Sequence, residues 1–116
     1  MKSYAYLSGK MTIAEAIGKR ATERFAVRGI HVETLTWNLN AGTIVMLKIY
    51  RGEYGRYIPD GDDDLIGRAE IGNKYIAVWN PRAYEDARII HYNAVDPDFD
   101  PEIAINQLME LLGIQL

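Results

Sequence analysis

The sequence has no cysteine among its 116 residues, which excludes disulfide bonds, thiol catalysis and zinc sites built on thiolates. Serine occurs only at Ser3 and Ser8, outside any nucleophile-elbow sequence, and histidine only at His31 and His91. A serine–histidine triad is therefore nearly excluded. No apolar run approaches the roughly 18 residues of a membrane span, and Met1–Met11 contains only a short apolar stretch. We expect no membrane association and a cytoplasmic location.

The composition is that of an ordinary globular protein. Apolar residues make up 48% of the chain and charged residues 25%, which argues against disorder. A chain of 116 residues can bury one hydrophobic core, so we expect a single domain spanning 1–116. The net charge of −3 provides no basic field to attract phosphates, and direct nucleic-acid binding is not expected.

Residues 30–50 have the pattern of an antiparallel hairpin. Two apolar, β-branched stretches flank Asn40-Ala41-Gly42, and a three-residue loop with glycine last is a common hairpin turn. This turn pairs Leu39 with Thr43 and Trp37 with Val45. The face of the hairpin that we then expect in the core consists of Leu35, Trp37, Leu39, Val45, Leu47 and Ile49.

A two-residue turn is the alternative. It pairs Trp37 with Ile44 and Leu35 with Met46, which is also an apolar arrangement. The chemistry of the two faces therefore does not decide between the registers. The position of Gly42 favours the three-residue loop, because that loop type requires glycine at its last position.

The first helix is predicted at about 12–28. Thr12 and Glu15 have the spacing of a capping box, in which each side chain satisfies a backbone N–H at the helix start. Gly29 is placed to end the helix. The apolar stripe that we expect to face the core consists of Ile13, Ile17, Ala21 and Phe25.

The second helix is predicted at about 101–112. Asp100 is a favourable N-cap, Pro101 suits the first helical position, and Gly113 closes the helix. The apolar face expected for this helix consists of Ile103, Ala104, Leu108, Leu111 and Leu112.

A second hairpin is predicted over residues 66–79. It turns at Gly72-Asn73, which sets Ala69 opposite Ile76. Arg88–Val95 is rich in β-branched and aromatic residues and is predicted as another strand.

Lys2–Leu7 alternates loosely enough for a first strand. The fold class is therefore α+β, with a mostly antiparallel sheet of about five strands, including the hairpins 30–50 and 66–79. The two helices are expected to pack on this sheet.

Alternate aspartates occur twice in the sequence, as Asp60/Asp62/Asp64 and Asp96/Asp98/Asp100. Both runs lack the glycine and the closing glutamate of an EF-hand loop. A looser divalent site that uses one run with His31 or His91 is the alternative hypothesis, a metal-dependent hydrolase. The simpler interpretation is a solvated loop for the first run and a helix cap at Asp100, so we assign no catalytic, metal or cofactor residue.

The segment Tyr50–Tyr57 combines tyrosine, arginine and glycine and is followed by an acidic run. Tyrosine and arginine dominate the energetic centres of protein interfaces. They also stack on bases, but the acidic run would repel a phosphate backbone. The partner-binding residues that we predict are Tyr54, Arg56, Tyr57, Asp60, Asp62, Asp63 and Asp64.

The function predicted from the sequence is a small binding module that masks a surface of a protein partner as an inhibitor or adaptor. The aspartates would meet a basic surface, such as that of a nucleic-acid-handling protein. Small, acidic, cysteine-free chains of this kind occur among accessory proteins of phages and plasmids. Self-association through an exposed hairpin edge is a third hypothesis.

Overall fold

The computed structural model describes residues 12–40, 42–51, 65–79 and 86–115. Along the chain the elements are α1 (Ile13–Val27), β1 (Ile30–Leu39), β2 (Gly42–Arg51), β3 (Leu65–Ile71), β4 (Tyr75–Trp79), β5 (Arg88–His91) and α2 (Pro101–Leu111). The strands form one antiparallel sheet in the order β1-β2-β3-β4-β5. The predicted α+β class, two helices and a five-stranded sheet, is confirmed. The strand predicted over Lys2–Leu7 lies outside the described residues.

Helix α1 begins as its sequence predicts. The Thr12 hydroxyl accepts a hydrogen bond from the Glu15 N–H at 3.2 Å, and the Glu15 carboxylate accepts one from the Thr12 N–H at 3.3 Å. This reciprocal pair satisfies two backbone donors that lack partners within the helix. Gly29 follows the helix with a φ of 70°. The buried side of α1 includes Ala14, Ile17, Gly18, Ala21 and Phe25, which confirms the predicted stripe from Ile17 onward.

Helix α2 begins at Pro101 after the Asp100 cap, whose carboxylate accepts from the Glu102 N–H at 3.0 Å. Its buried residues include Ala104, Ile105, Leu108 and Met109. Ile103 was predicted on this face, but it is 56% exposed. The side of the helix that meets the sheet is centred on Ala104, Ile105 and Leu108. No helix in the described ranges is long and apolar enough to cross a membrane.

Both helices cover one face of the sheet, which we call the inner face. Side chains of both helices and of β2, β3, β4 and β5 belong to one buried cluster. Arg20 of α1 donates from Nε and Nη2 to Glu102 Oε1 of α2, at 2.9 and 2.8 Å. Because both side chains are partly exposed, this ion pair contributes at most about 1 kcal/mol. Its main effect is to fix the middle of α1 relative to the start of α2.

The register of the first hairpin differs from our prediction. Leu39 pairs with Gly42, and Trp37 pairs with Ile44. The two strands are therefore joined by the two-residue turn and not by the three-residue loop.

Gly42 misled the sequence argument for a physical reason. Its φ is 131°, a conformation that side chains disfavour, and an added Cβ would lie 2.5 Å from the Asn73 amide nitrogen. Glycine is favoured here by its own backbone conformation, whereas the exposed Asn73 side chain could move aside. It does not mark the last position of a longer loop.

The shift by one residue reverses the faces of β1. Val45, Leu47 and Ile49 are buried on the inner face as predicted, and their partners on β1 are Thr36, Thr34 and Val32. Leu35, Trp37 and Leu39, which we predicted in the core, lie instead on the opposite, outer face. Their side chains are 54%, 46% and 54% exposed.

The second hairpin turns one residue later than predicted. The Gly72 N–H donates to the Tyr75 carbonyl at 2.9 Å, so the turn residues are Asn73-Lys74. Ala69 then pairs with Val78 and not with Ile76. The change in pairing is an even number of residues, so every side chain keeps its predicted face.

Strand β5 is shorter than predicted. It ends at His91, and a turn follows in which the Asp96 N–H donates to the Asn93 carbonyl at 3.2 Å. Val95 lies in this turn and is 87% exposed. The β-branched residue there does not extend the strand, because the Asn93 side chain accepts from the Val95 N–H and stabilises the turn.

One β-bulge interrupts the ladder between β2 and β3. Ile49 pairs with Gly67 and Tyr50 with Leu65, so Ile66 has no partner on β2.

The same substitution on opposite faces of the first hairpin tests the register. Leu47 is fully buried, so Leu47→Ala should lower the free energy of unfolding by about 2–5 kcal/mol. Leu35 is half exposed, and Leu35→Ala should cost about 1 kcal/mol or less. Urea denaturation measures both values. Equally large losses would indicate the three-residue loop, since that register buries both leucines.

Candidate functional site on the outer face of the sheet

The first hairpin carries a contiguous apolar patch on the outer face. The patch consists of Leu35, Trp37 and Leu39 on β1 with Ile44 and Met46 on β2. The register places Trp37 beside Ile44 and Leu35 beside Met46. The β1 members are about half exposed, and the β2 members are partly exposed. Single exposed apolar residues are common on protein surfaces, whereas a contiguous group is typical of a contact site.

A hollow of about 360 Å³ adjoins the patch at the turn end of the sheet. It is lined by Leu39, Ile44 and Tyr75 together with the β3–β4 turn. Asn73 of that turn lies over Gly42, which brings the two hairpin turns together. The apolar surface therefore combines an exposed ridge on β1 with a recess beside it.

Charged side chains of both signs lie on the outer face next to the patch. Glu33 pairs with Lys48, and Lys48 pairs in turn with Arg68 on β3. The Arg68 guanidinium lies over the Trp79 ring, with its carbon 5.8 Å from the ring centroid, which is a cation–π contact. An apolar centre with a polar, charged border is the usual anatomy of a protein interface.

Two tyrosines join the strands at the same end of the sheet. The Tyr75 hydroxyl donates to Glu70 Oε2, and the Tyr92 hydroxyl donates to the Gly72 carbonyl. The hydrogen bond to the Glu70 carboxylate, with a contribution from burial, raises the pKa of Tyr75 to about 12. Burial raises the pKa of Tyr92 well above its usual value. Both hydroxyls therefore remain protonated donors at neutral pH.

The two histidines lie on the opposite edge strands of the described sheet, His31 on β1 and His91 on β5. The His31 ring stacks on Tyr50, its pairing partner on β2, with ring centroids 6.3 Å apart. His91 was predicted in mid-strand, but it is the last residue of β5 and is exposed.

The second aspartate run surrounds a small polar hollow with His91. Its oxygens bind the backbone: Asp96 Oδ1 accepts from the Asp98 N–H at 2.9 Å, and Asp100 caps α2. The predicted cap at Asp100 is thus confirmed. Within the described ranges no group of three or more histidine, aspartate or glutamate side chains is arranged to hold a metal ion.

The residues that we predicted to bind a partner, Tyr54, Arg56, Tyr57, Asp60, Asp62, Asp63 and Asp64, lie outside the described residues. The apolar patch is the feature that the sequence argument missed, since its β1 members were assigned to the core. A signal was present in the sequence. Both faces of the hairpin are apolar, whereas two short helices on one side of a sheet can cover only one of them.

Comparison of the chain with protein-family models gave no match, and comparisons with curated proteins and with solved structures gave none either.

Raising the pH should weaken the fold through Tyr75. Its hydroxyl titrates near pH 10 in an unfolded chain and at about 12 in the folded protein. Below pH 10 both states keep the proton. Between these values the unfolded chain loses it first, so the free energy of unfolding falls as the pH rises. Urea denaturation over this pH range should show the decrease, and Tyr75→Phe should make it smaller.

Absorbance titration of tyrosinate gives a direct check. Comparison of the two proteins should show that the tyrosine lost in Tyr75→Phe is one that titrates late, at about pH 12. If the tyrosine absent from Tyr75→Phe is instead one that titrates near pH 10 in the wild type, the hydrogen bond to Glu70 is contradicted.

Proposed function

We propose that this protein is a binding module that occupies and masks a surface of another protein, with the apolar patch as its central contact. The observation that carries the proposal is the half-exposed row of Leu35, Trp37 and Leu39 on one face of a strand. Tryptophan is enriched at the energetic centres of interfaces because its large ring excludes much water when it is covered. A partner that covers this row would bury three large side chains at once.

The mechanism of such a module is steric. A five-stranded sheet backed by two packed helices holds the patch in a fixed geometry, so little conformational entropy is lost when a partner binds. The mixed charges of Glu33, Lys48 and Arg68 border the patch and orient the partner without supplying most of the affinity.

The acidic segment adds an electrostatic component to the proposal. Asp60, Asp62, Asp63 and Asp64 give the sequence a dense negative charge, which favours a partner with a basic surface. A nucleic-acid-handling protein has such a surface. A module that occupies it would act as an inhibitor or adaptor.

The alternative function, a metal-dependent hydrolase, has less support. Asp96 and Asp100 accept backbone hydrogen bonds that form a turn and a helix cap. Their arrangement is explained by local structure, so the protein-binding function accounts better for the exposed features of the molecule.

Replacement of Trp37 should remove binding without unfolding the protein. Immobilised wild-type protein should retain a partner from an extract of the native host in stoichiometric amount, and Trp37→Ser should not. With the purified partner, the dissociation constant should rise about 30-fold, which corresponds to the roughly 2 kcal/mol of an interface hot spot.

The matched control is Val95→Ser. Val95 is 87% exposed and lies in the turn after β5, away from the hairpin, so this change removes exposed apolar surface without touching the patch. Circular dichroism verifies that both variants are folded. Equal binding by Trp37→Ser and the wild type would refute the assignment of the patch.

The acidic segment is tested through kinetics. If the aspartates speed the encounter with a basic partner, replacing Asp62, Asp63 and Asp64 by alanine should slow association and make its rate less dependent on salt. Stopped-flow measurements at several ionic strengths provide both quantities. An unchanged association rate would remove the electrostatic component and leave the patch as the contact.

A further inference from the structure

Strand β1 is an edge strand of the described sheet, and the edge that faces away from β2 has no neighbouring strand among the described residues. Backbone groups of an antiparallel strand point alternately to its two neighbours. Gly72 bonds to Tyr75 across the β3–β4 turn, so the backbone N–H and C=O groups of the even-numbered residues of β3 point to β4. Those of the odd-numbered residues, such as Ile71, point to β2. Val45 is the partner of Ile71, so the backbone groups of the odd-numbered residues of β2 point to β3 and those of the even-numbered residues point to β1.

The same alternation fixes the directions on β1. The even-numbered residues of β2 pair with Leu35 and Trp37, so the backbone groups of these two residues bond to β2. The N–H and C=O groups of Thr34, Thr36 and Asn38 consequently point away from the sheet. No backbone hydrogen bond from another described residue reaches them.

Nothing in this part of β1 protects the edge. Edge strands usually carry proline, a charged residue or a bulge that prevents pairing with another chain. Residues 34–40 contain neither proline nor any charge, and the ladder between β1 and β2 has no bulge. At the other end of the described sheet the edge strand β5 has only four residues, which limits pairing there.

The edge is complementary to itself. An antiparallel partner related by a two-fold axis must pair even residues with even residues, so that the outward groups meet and the inner and outer faces continue across the junction. With Thr36 opposite the second copy's Thr36, Thr34 meets Asn38, and no charged residue of either chain lies opposite a like charge over 34–38. Leu35 then lies beside the second copy's Trp37 as an apolar cross-strand pair.

We infer that two copies of this protein pair through β1 in this way and join their described strands into one continuous antiparallel sheet. The two-fold arrangement uses both β1 edges, so the assembly closes at a dimer. The two apolar patches join on the outer face into one larger surface. This inference concerns the edge of the hairpin and goes beyond the proposed function, which concerns its face.

Proline substitution tests the pairing. Thr36→Pro removes an N–H that points outward, so it spares the bonds between β1 and β2 but deletes two bonds of the dimer, one from each copy. Sedimentation equilibrium of the full chain should give a wild-type dimer, and Thr36→Pro should raise its dissociation constant at least about tenfold.

His91→Pro is the matched control. His91 also has an outward N–H at a described edge, because the flanking Tyr92 bonds to Lys74 in the direction of β4. This variant should dimerise like the wild type. A wild-type monomer at submillimolar concentration, or a dimer that Thr36→Pro leaves intact, would overturn the inference.

The absence of cysteine allows a second measurement. In the chosen register the two Thr36 Cα atoms lie about 5.5 Å apart, within the range that a disulfide spans. Thr36→Cys has one thiol per chain, so mild oxidation should convert it to a covalent dimer faster than Val95→Cys, whose side chain is exposed elsewhere. Equal rates would also count against the pairing.

The two proposals fail separately. Loss of the dimer in Thr36→Pro with retained partner binding would support the edge contact and leave the patch in place. A monomeric wild type that still requires Trp37 to bind its partner would overturn only the dimer.

Discussion

The alternation of side chains along β2 is the constraint on which the rest of this structure depends. Val45, Leu47 and Ile49 point toward the helices and are buried, so the residues between them must point the other way. Because β2 lies between β1 and β3, its orientation sets the faces of both neighbours. The core and the apolar patch therefore follow from the same orientation of β2, since both described helices pack on one face of the hairpin and neither covers the other face.

Contacts at the turn end of the sheet fix the two hairpins relative to each other. Asn73 lies over Gly42, and the Tyr92 hydroxyl reaches the Gly72 carbonyl, so both hairpin turns and the segment after β5 are held together. Tyr92 also stacks on Phe99, with ring centroids 5.3 Å apart, and this contact connects the sheet to the approach of α2. The patch is thus supported from behind by the core and from the side by the turns.

Sequence patterns predict the parts of this fold that depend on local chemistry. The capping box at Thr12 and the cap at Asp100 are satisfied within three residues, so a single sequence contains all the information they need. The hairpin register is different. Both registers of the first hairpin place apolar residues on both faces, and a glycine with positive φ occurs at residue 42 although the turn has two residues. The choice is made by packing against α1, which no short pattern encodes.

The bulge at Ile66 gives β3 an unequal tolerance to changes in length. Ile66 is the residue without a partner on β2, so its deletion would leave Gly67–Ile71 in their present pairing and restore a regular ladder. Loss of one residue between Arg68 and Glu70 would instead turn the residues on one side of the gap to the opposite face of the sheet. A change in the length of β3 is therefore easiest to accommodate at Ile66, near the start of the strand.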